Sequence, residues 1–137
     1  MRFIDSNVFI HAYINPRRKL QEHEKEIKEK AKAIVERVNK GEEVMTTTVH
    51  IGEIANLLED FMPLQVSLEV TSSLLLKENI HTTQVSPRDC LSAIPLAEDY
   101  QVGVNDALAY LFMTQKGIQE IYSFDKDFDR TPAKRVF

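Results

Sequence analysis

Residues 121–130 read IYSFDKDFDR, in which a short apolar run breaks into aspartates at positions 125, 127 and 129. The apolar part has the length and composition of a buried β-strand. Three structures explain the aspartates: a calcium loop, a solvated turn, or one wall of a metal-dependent active site. An EF-hand loop that starts at Asp125 needs glycine at its sixth position and glutamate at its twelfth. Arg130 and Val136 occupy those positions, which excludes the calcium loop.

The other two alternatives divide the three aspartates differently. A solvated turn explains Asp129 and Asp127, but it does not explain why Asp125 ends a strand. An active-site wall requires only Asp125, with Asp127 as an additional acid. Phe124 and Phe128 would then anchor the acidic loop by packing.

The rest of the chain alternates between strand-like and helix-like segments. Strands are predicted at residues 2–5, 43–47, 80–85, 120–124 and 135–137, and helices at 21–43, 48–61, 63–79, 87–101 and 106–117. Such alternation is typical of βα units, which form a mainly parallel sheet with helices on both faces. The sequence therefore predicts one α/β domain over residues 1–137.

Proline and capping residues define the helices in the second half of the chain. Ser86 followed by Pro87 is an N-terminal signature. Pro95 predicts a kink or break within the helix that they begin. Asn105 or Asp106 is expected to open the last helix. Segment 61–76 is rich in apolar residues, which suits either a largely covered core helix or a dimer interface.

Composition restricts the class of protein. The 137 residues carry a formal net charge of −4, which argues mildly against a protein that coats nucleic acid but not against a nuclease. The single cysteine, Cys90, excludes an internal disulfide and fits a reducing cytosol. No apolar run reaches the roughly 18 residues of a membrane span, and the start, MRFIDSNVF, lacks the layout of a signal peptide. We therefore expect a cytoplasmic protein that does not enter membranes.

Four acids on four different segments are expected to meet at one edge of the sheet. Asp5 follows the first strand and Asp125 the fourth, and the carboxyl ends of parallel strands lie at the same edge. Glu53 lies about one turn into the helix after the second strand. Asp106 lies at a helix start, where the helix dipole favours an ionised carboxylate. Taken singly, Asp106 also fits an ordinary helix-start residue and Glu53 a solvated one.

Carboxylate oxygens suit Mg²⁺ or Mn²⁺, and no Cys/His cluster points to zinc. Ser6 and Asn7 either hydrogen-bond the carboxylates or the substrate, or they cap a helix after the first strand. The chain has four histidines without a paired metal spacing: His11, His23, His50 and His81. We expect these histidines at the surface or behind the metal ligands.

The four acids also carry a family resemblance. Asp5 in FIDSNVFI, Glu53 in HIGEIANLL, Asp106 in VNDALAYLF and Asp125 in IYSFDKDFDR together resemble the PIN-domain nucleases, nearly from end to end. The resemblance implies an α/β/α sandwich around a parallel sheet, a divalent-metal ribonuclease activity and frequent homodimers. Many small bacterial and archaeal members are VapC-type toxins, which a co-expressed antitoxin inhibits.

The resemblance implies that these acids bind Mg²⁺ or Mn²⁺ together. We expect Asp5 and Asp106 to be the principal metal ligands. Glu53 would bind a second ion directly or through water. Asp125 would complete the cluster, and Asp127 is a further candidate ligand.

The resemblance implies an RNA substrate, single-stranded or looped. Lys126 and Arg130 are the cations nearest to the acids in sequence, and each of them is either a phosphate contact or plain surface. Two other functions stay open: a non-catalytic PIN-like RNA-binding or scaffold module, and another Mg²⁺-dependent phosphohydrolase. A haloacid-dehalogenase-like phosphatase begins with Asp-x-Asp after its first strand, and Asn7 replaces the second acid here.

Overall fold

A computed structural model describes all residues, 1–137, and contains one five-stranded sheet. Its strands are β1 (Arg2–Ile4), β2 (Val44–Thr47), β3 (Ile80–Thr83), β4 (Glu120–Tyr122) and β5 (Lys134–Val136). All neighbouring strands pair in parallel, in the order β3-β2-β1-β4-β5. Strands β2 and β3 therefore lie on one side of β1, whereas β4 and β5 lie on its other side. In such sheets ligands bind beyond the carboxyl ends of the two strands where the order reverses, which are β1 and β4 here.

Six helices connect the strands: α1 (Ser6–Tyr13), α2 (Glu22–Asn39), α3 (Thr48–Phe61), α4 (Leu64–Leu76), α5 (Pro87–Tyr100) and α6 (Val104–Lys116). A short 3₁₀ helix, Lys126–Arg130, follows β4. None of the helices has the length and hydrophobicity needed to cross a bilayer.

Alternating side chains of the central strands build a separate core on each face of the sheet. Phe3 packs with helices α5 and α6, whereas its neighbour Ile4 packs with α1 to α4. Parallel pairing continues this alternation, since Phe3 lies beside Met45 and Ile121, both on the α5–α6 face. Two buried faces, each covered by helices, confirm the predicted three-layer α/β/α sandwich.

The helices differ from the expectation in several respects, and α2 and α4 end three to four residues earlier than predicted. Helix α1 was expected only as one alternative, a helix capped by Ser6 or Asn7 after the first strand, and no bounds were predicted for it. Helix α6 begins at Val104 with Gly103 as its N-cap, so neither Asn105 nor Asp106 opens it. Helix α5 continues through Pro95, so the expected break there was wrong, and the alternative of a kink stays a prediction. Because α5 buries only Ala93, water can solvate the carbonyl that the proline leaves unpaired.

Helix α4 is much more exposed than a core helix. It buries only Ser67 and Leu74, so the expectation of a largely covered helix was wrong. The reason is its position, because α4 packs chiefly against α3 and the edge strand β3. Its remaining leucines face solvent in the single chain.

Lys28 of α2 hydrogen-bonds to the C-terminal end of α1. The Nζ of Lys28 donates to the carbonyl oxygens of His11 and Ile14, at 3.0 and 2.8 Å. These carbonyls lie at the C-terminal end of α1, where a helix leaves acceptors unpaired and favours a positive charge. The contact fixes the helix whose first residues, Ser6 and Asn7, enter the candidate site.

Candidate metal centre

Asp5 and Asp125 meet through a buried serine. Asp5 directly follows β1, and its amide donates to the Tyr122 carbonyl at 3.0 Å, which extends the β1–β4 pairing by one residue. Ser123 directly follows β4 and is fully buried. Its Oγ donates to Asp5 Oδ2 at 2.7 Å and accepts from the Asp125 amide at 3.0 Å. One hydroxyl thus sets the spacing between the ends of two strands.

The first residues of α1 complete this network. Ser6 Oγ lies 3.4 Å from Asp5 Oδ1 and 3.2 Å from Glu53 Oε1, so its single proton can serve either carboxylate. Asn7 donates to Ser123 Oγ at 3.4 Å and accepts from the Phe124 amide at 3.3 Å. Neither side chain caps the helix, because Asp5 is the N-cap residue and its side chain makes no capping bond.

All five predicted acids converge beyond the carboxyl ends of β1 and β4. Their ligand atoms form two groups, each with all members within 4.8 Å of one another: Asp5 and Glu53 with His50, and Asp106 with Asp125 and Asp127. The groups adjoin, since the charges of both groups act on Asp106. No lysine or arginine nitrogen lies within 4.0 Å of Asp5, Glu53, Asp106 or Asp125.

Burial, together with repulsion between the acids, raises the pKa of two of these carboxylates. Burial raises the pKa of Asp5 to about 6, with a further rise from Glu53 that the hydrogen bond from Ser123 opposes. Burial, followed by repulsion from Asp5 and the other acids, raises the pKa of Asp106 to about 7. Such a cluster is relieved either by protons or by a bound cation. Its hard oxygen donors suit Mg²⁺ or Mn²⁺.

The three aspartates of residues 121–130 lie in two different environments. Asp125 Oδ1 accepts from the Asp127 amide at 2.9 Å, which keeps both acids on the cluster side. Asp129 instead forms an exposed ion pair with Arg135 at 2.8 Å, as a solvated turn predicts. Phe128 is fully buried and anchors the turn in the α5–α6 core. Phe124 is partly buried and packs against the opposite core.

Lys126 and Arg130, the two cations nearest to the acids in sequence, differ in how free they are to contact a substrate. Lys126 is exposed and forms no ion pair. Arg130 donates to the Gln101 carbonyl at 2.7 Å and lies 3.7 Å from Asp127. Lys126 is therefore the freer of the two to contact a substrate.

Sequence reasoning missed Ser123, and for His50 it left open a place at the surface or behind the metal ligands. His50 is only 1% exposed, so a surface position was wrong for this histidine. Burial lowers the pKa of its ring. The available signal was its place three residues before Glu53, which puts both on one side of α3. For Ser123 the signal was a polar residue directly after an apolar strand and two residues before Asp125.

Two cavities of the molecule differ in their relation to the acids. A cavity of about 470 Å³ between α5 and α6 is bordered by Gln101, Val104 and Asp127. The largest cavity, about 700 Å³, includes Met1, Glu120 and Lys134 and lies at the amino ends of β4 and β5. It is on the opposite edge of the sheet from the acids and has no part in their chemistry.

Comparisons with known proteins agree with this geometry. The family model described as "PIN domain" matches residues 2–134. A comparison with curated protein sequences finds no match. Among solved structures, the crystal structure of VapC20 from Mycobacterium tuberculosis, described as a toxin that cleaves the sarcin–ricin loop, superimposes with a TM-score of 0.72. The two chains are 22% identical, and the match covers 94% of this chain and 93% of that one.

Proposed function

The chain belongs to the PIN-domain family, and we propose that it is a divalent-metal-dependent endoribonuclease that acts as the toxin of a toxin–antitoxin pair. One observation carries this function. Five carboxylates meet where β1 and β4 end, and four of them have no basic partner. A cluster of this kind is unfavourable until cations neutralise it. Family membership also disfavours the haloacid-dehalogenase-like alternative.

Asp5, Glu53, Asp106, Asp125 and Asp127 are the residues that would hold Mg²⁺ or Mn²⁺. Such an ion, when bound, makes water nucleophilic near neutral pH and offsets charge on the phosphate. The chain's own contribution is to fix the carboxylates. Ser123 and Ser6 orient Asp5, and the bond from Ser123 to the Asp125 amide sets the start of the acidic turn. Asn7 joins α1 to that turn.

The substrate that we propose is RNA with an accessible backbone, single-stranded or in a loop. The likeness to VapC20, which is described as cleaving the sarcin–ricin loop, supports a looped substrate. Lys126 is exposed, free of ion pairs and next to Asp125, so it suits contact with a phosphate beside the scissile bond. Arg130 would have to exchange its contacts with Gln101 and Asp127 to do the same.

An antitoxin and a second copy of the chain are the protein partners that we propose. An apolar cavity of about 470 Å³ between α1, α2 and α3 offers Ile10, Ile27 and Phe61 to an antitoxin segment. The exposed leucines of α4 offer a surface for a homodimer. A cytoplasmic location is supported by the RNA substrate and by the free thiol of Cys90.

Cleavage of labelled single-stranded and stem–loop RNA, with Mn²⁺, Mg²⁺ or EDTA, tests the nuclease. Wild-type protein should cut only with metal, and Asp5→Asn and Asp106→Asn should each lose about 100-fold or more in rate. Asp129→Asn is the matched control, because Asp129 lies in the same turn but pairs with Arg135 outside the cluster. Its rate should stay within about twofold of wild type.

Two outcomes would contradict the nuclease. Equal cutting by all variants identifies a contaminating ribonuclease. Metal binding without cleavage of any RNA favours the scaffold alternative. The toxin role has a separate test, in which induced expression of wild-type protein, but not Asp5→Asn, arrests bacterial growth.

A further inference from the structure

We propose that His50 is a metal ligand, donating through Nε2 to the cation that Asp5 and Glu53 hold, and that this nitrogen makes that part of the site prefer Mn²⁺ to Mg²⁺. This inference rests on the metal binding of the proposed function, but it does not depend on RNA cleavage. It adds a nitrogen donor to a site that otherwise consists of carboxylates.

The helix start fixes the ring of His50. Thr47 is the N-cap residue of α3, and its Oγ1 accepts from the His50 amide at 3.2 Å. The same oxygen lies 2.6 Å from His50 Nδ1. Phe3 packs edge-on against the imidazole, with 5.1 Å between ring centroids. The hydrogen bond to Thr47 and the packing of Phe3 from β1 therefore prevent the imidazole ring from rotating.

The other ring nitrogen has no partner in the protein. Nε2 of His50 is buried without a hydrogen-bond partner at bonding distance. The backbone of Asn105 still interacts with the ring and partly opposes the lowering of its pKa by burial. Buried polar atoms in native proteins are nearly always paired, so an orphan such as this one calls for an explanation. A bound cation would supply the missing partner.

The distances are those of a site that one ion can span. A ring nitrogen of His50 and carboxylate oxygens of Asp5 and Glu53 all lie within 4.8 Å of one another. Ligand bonds of roughly 2.1 Å place atoms on opposite sides of one ion roughly 4.2 Å apart. Small side-chain shifts therefore bring the three groups onto a single cation.

The hydrogen bond at Nδ1 is compatible with the tautomer that binds a metal through Nε2. When Nδ1–H donates to Thr47 Oγ1, the lone pair remains on Nε2. Metal-binding histidines usually donate their second ring N–H to an oxygen in this manner. Among the two cations, a nitrogen donor favours Mn²⁺, because Mg²⁺ prefers oxygen ligands alone.

Pulsed EPR of bound Mn²⁺, with protein that carries ¹⁴N- or ¹⁵N-histidine, tests the inference without any RNA. Wild-type protein should show an imidazole nitrogen coupling that changes with the isotope, and His50→Gln should lose it. His23→Gln is the matched control, since His23 is exposed, and it should keep the coupling. Calorimetry should show the ratio of Mn²⁺ to Mg²⁺ affinity falling about tenfold in His50→Gln only.

The outcomes separate this inference from the proposed function. Tight Mn²⁺ binding without histidine coupling, or with coupling that survives in His50→Gln, overturns the inference and leaves the nuclease intact. A failure to bind Mn²⁺ at all overturns both. If His50→Gln does not fold, a variant that lacks the three exposed histidines, His11, His23 and His81, decides the question. An imidazole coupling in this variant can come only from His50 and supports the inference, whereas its absence overturns the inference.

Discussion

At the scale of single residues, one buried hydroxyl determines how the acids meet. Ser123 Oγ donates to Asp5 and accepts from the Asp125 amide and from Asn7. These three contacts use the full hydrogen-bonding capacity of a hydroxyl. The geometry of the cluster therefore depends on a residue that is not itself an acid.

Ser123→Ala should destabilise the protein and weaken metal binding together. Loss of the hydroxyl leaves a buried carboxylate oxygen and the Asp125 amide unpaired, at a cost of about 1–3 kcal/mol in the free energy of unfolding. Urea denaturation measures the stability, and calorimetry with Mn²⁺ measures the affinity. Ser72→Ala, on the exposed side of α4, should change neither quantity. Normal Mn²⁺ affinity in Ser123→Ala would show that Asp5 needs no such positioning.

Asp106→Asn should stabilise the metal-free protein, increasingly so as the pH rises. The folded state raises the pKa of Asp106 to about 7, chiefly by burial and then by repulsion from Asp5. Between the ordinary pKa of aspartate, about 4, and 7 the folded state therefore binds more protons at this site, and Asp106 lowers stability as pH increases. Asparagine removes this effect.

Thermal unfolding in EDTA from pH 5 to 8, for wild type and Asp106→Asn, measures this difference. The gap in Tm should widen up to about pH 7 and then level off. The lowered pKa of His50 makes stability rise with pH in both proteins. Comparing the Tm of the variant with that of wild type removes this shared contribution. Added Mn²⁺ should raise the Tm of wild type more than that of the variant. A gap that is constant with pH would mean that folding does not raise the pKa of Asp106.

At the scale of elements, helix α1 shows why a short helix is difficult to predict from sequence. Its eight residues, SNVFIHAY, are too few to be stable alone. Val8 and Phe9 are buried against α2 and α3, and Lys28 pairs the carbonyls at its end. The helix therefore depends on contacts that local periodicity does not contain.

Lys28→Met should destabilise the protein by loosening α1. Methionine retains the apolar stem but leaves the carbonyls of His11 and Ile14 without their donor, which costs about 1–3 kcal/mol. Chemical denaturation measures the loss, and hydrogen exchange should locate it in α1. Lys32→Met on the exposed face of α2 is the matched control and should stay within about 0.5 kcal/mol. Equal stability of both variants would contradict the role given to Lys28.

Other elements were predictable where their signal is local. Ser86 and Pro87 start α5, and Gly117 ends α6 with a positive φ of 67°, as the sequence predicts. The start of α6 was not predictable in the same way, because Gly103 offers no side-chain capping bond. The exposure of α4 was missed because a row of leucines looks alike in a core and on an uncovered edge.

At the scale of the whole molecule, the cluster is a consequence of strand order. Asp5 and Asp125 follow β1 and β4, which lie side by side although more than a hundred residues separate them in the chain. The sequence predicted that both acids end strands, and hence that they share an edge. It did not predict that these two strands are neighbours, because the order of strands depends on which helices cover each face.

The exposed leucine row of α4 (Leu64, Leu68 and Leu75) leads to a prediction about assembly. These residues recur at spacings of four and seven, so they lie on one side of the helix, and they are 61%, 48% and 51% exposed. A row of this kind beside the edge of the sheet is costly in a monomer, and a second copy of the chain can cover it.

Leu68→Glu should therefore convert a dimer into a monomer. Sedimentation velocity should give a dimer for wild type and a single chain for the variant, because a charge buried in the interface without a partner opposes association. Gln65→Glu adds the same charge outside the row, on an exposed position of the same helix, and should remain dimeric. Near-identical circular dichroism of the three proteins would exclude unfolding as the cause. A wild-type monomer at all concentrations, or a Leu68→Glu dimer, would contradict this interface and leave the acids unaffected, since they lie beyond β1 and β4 rather than on α4.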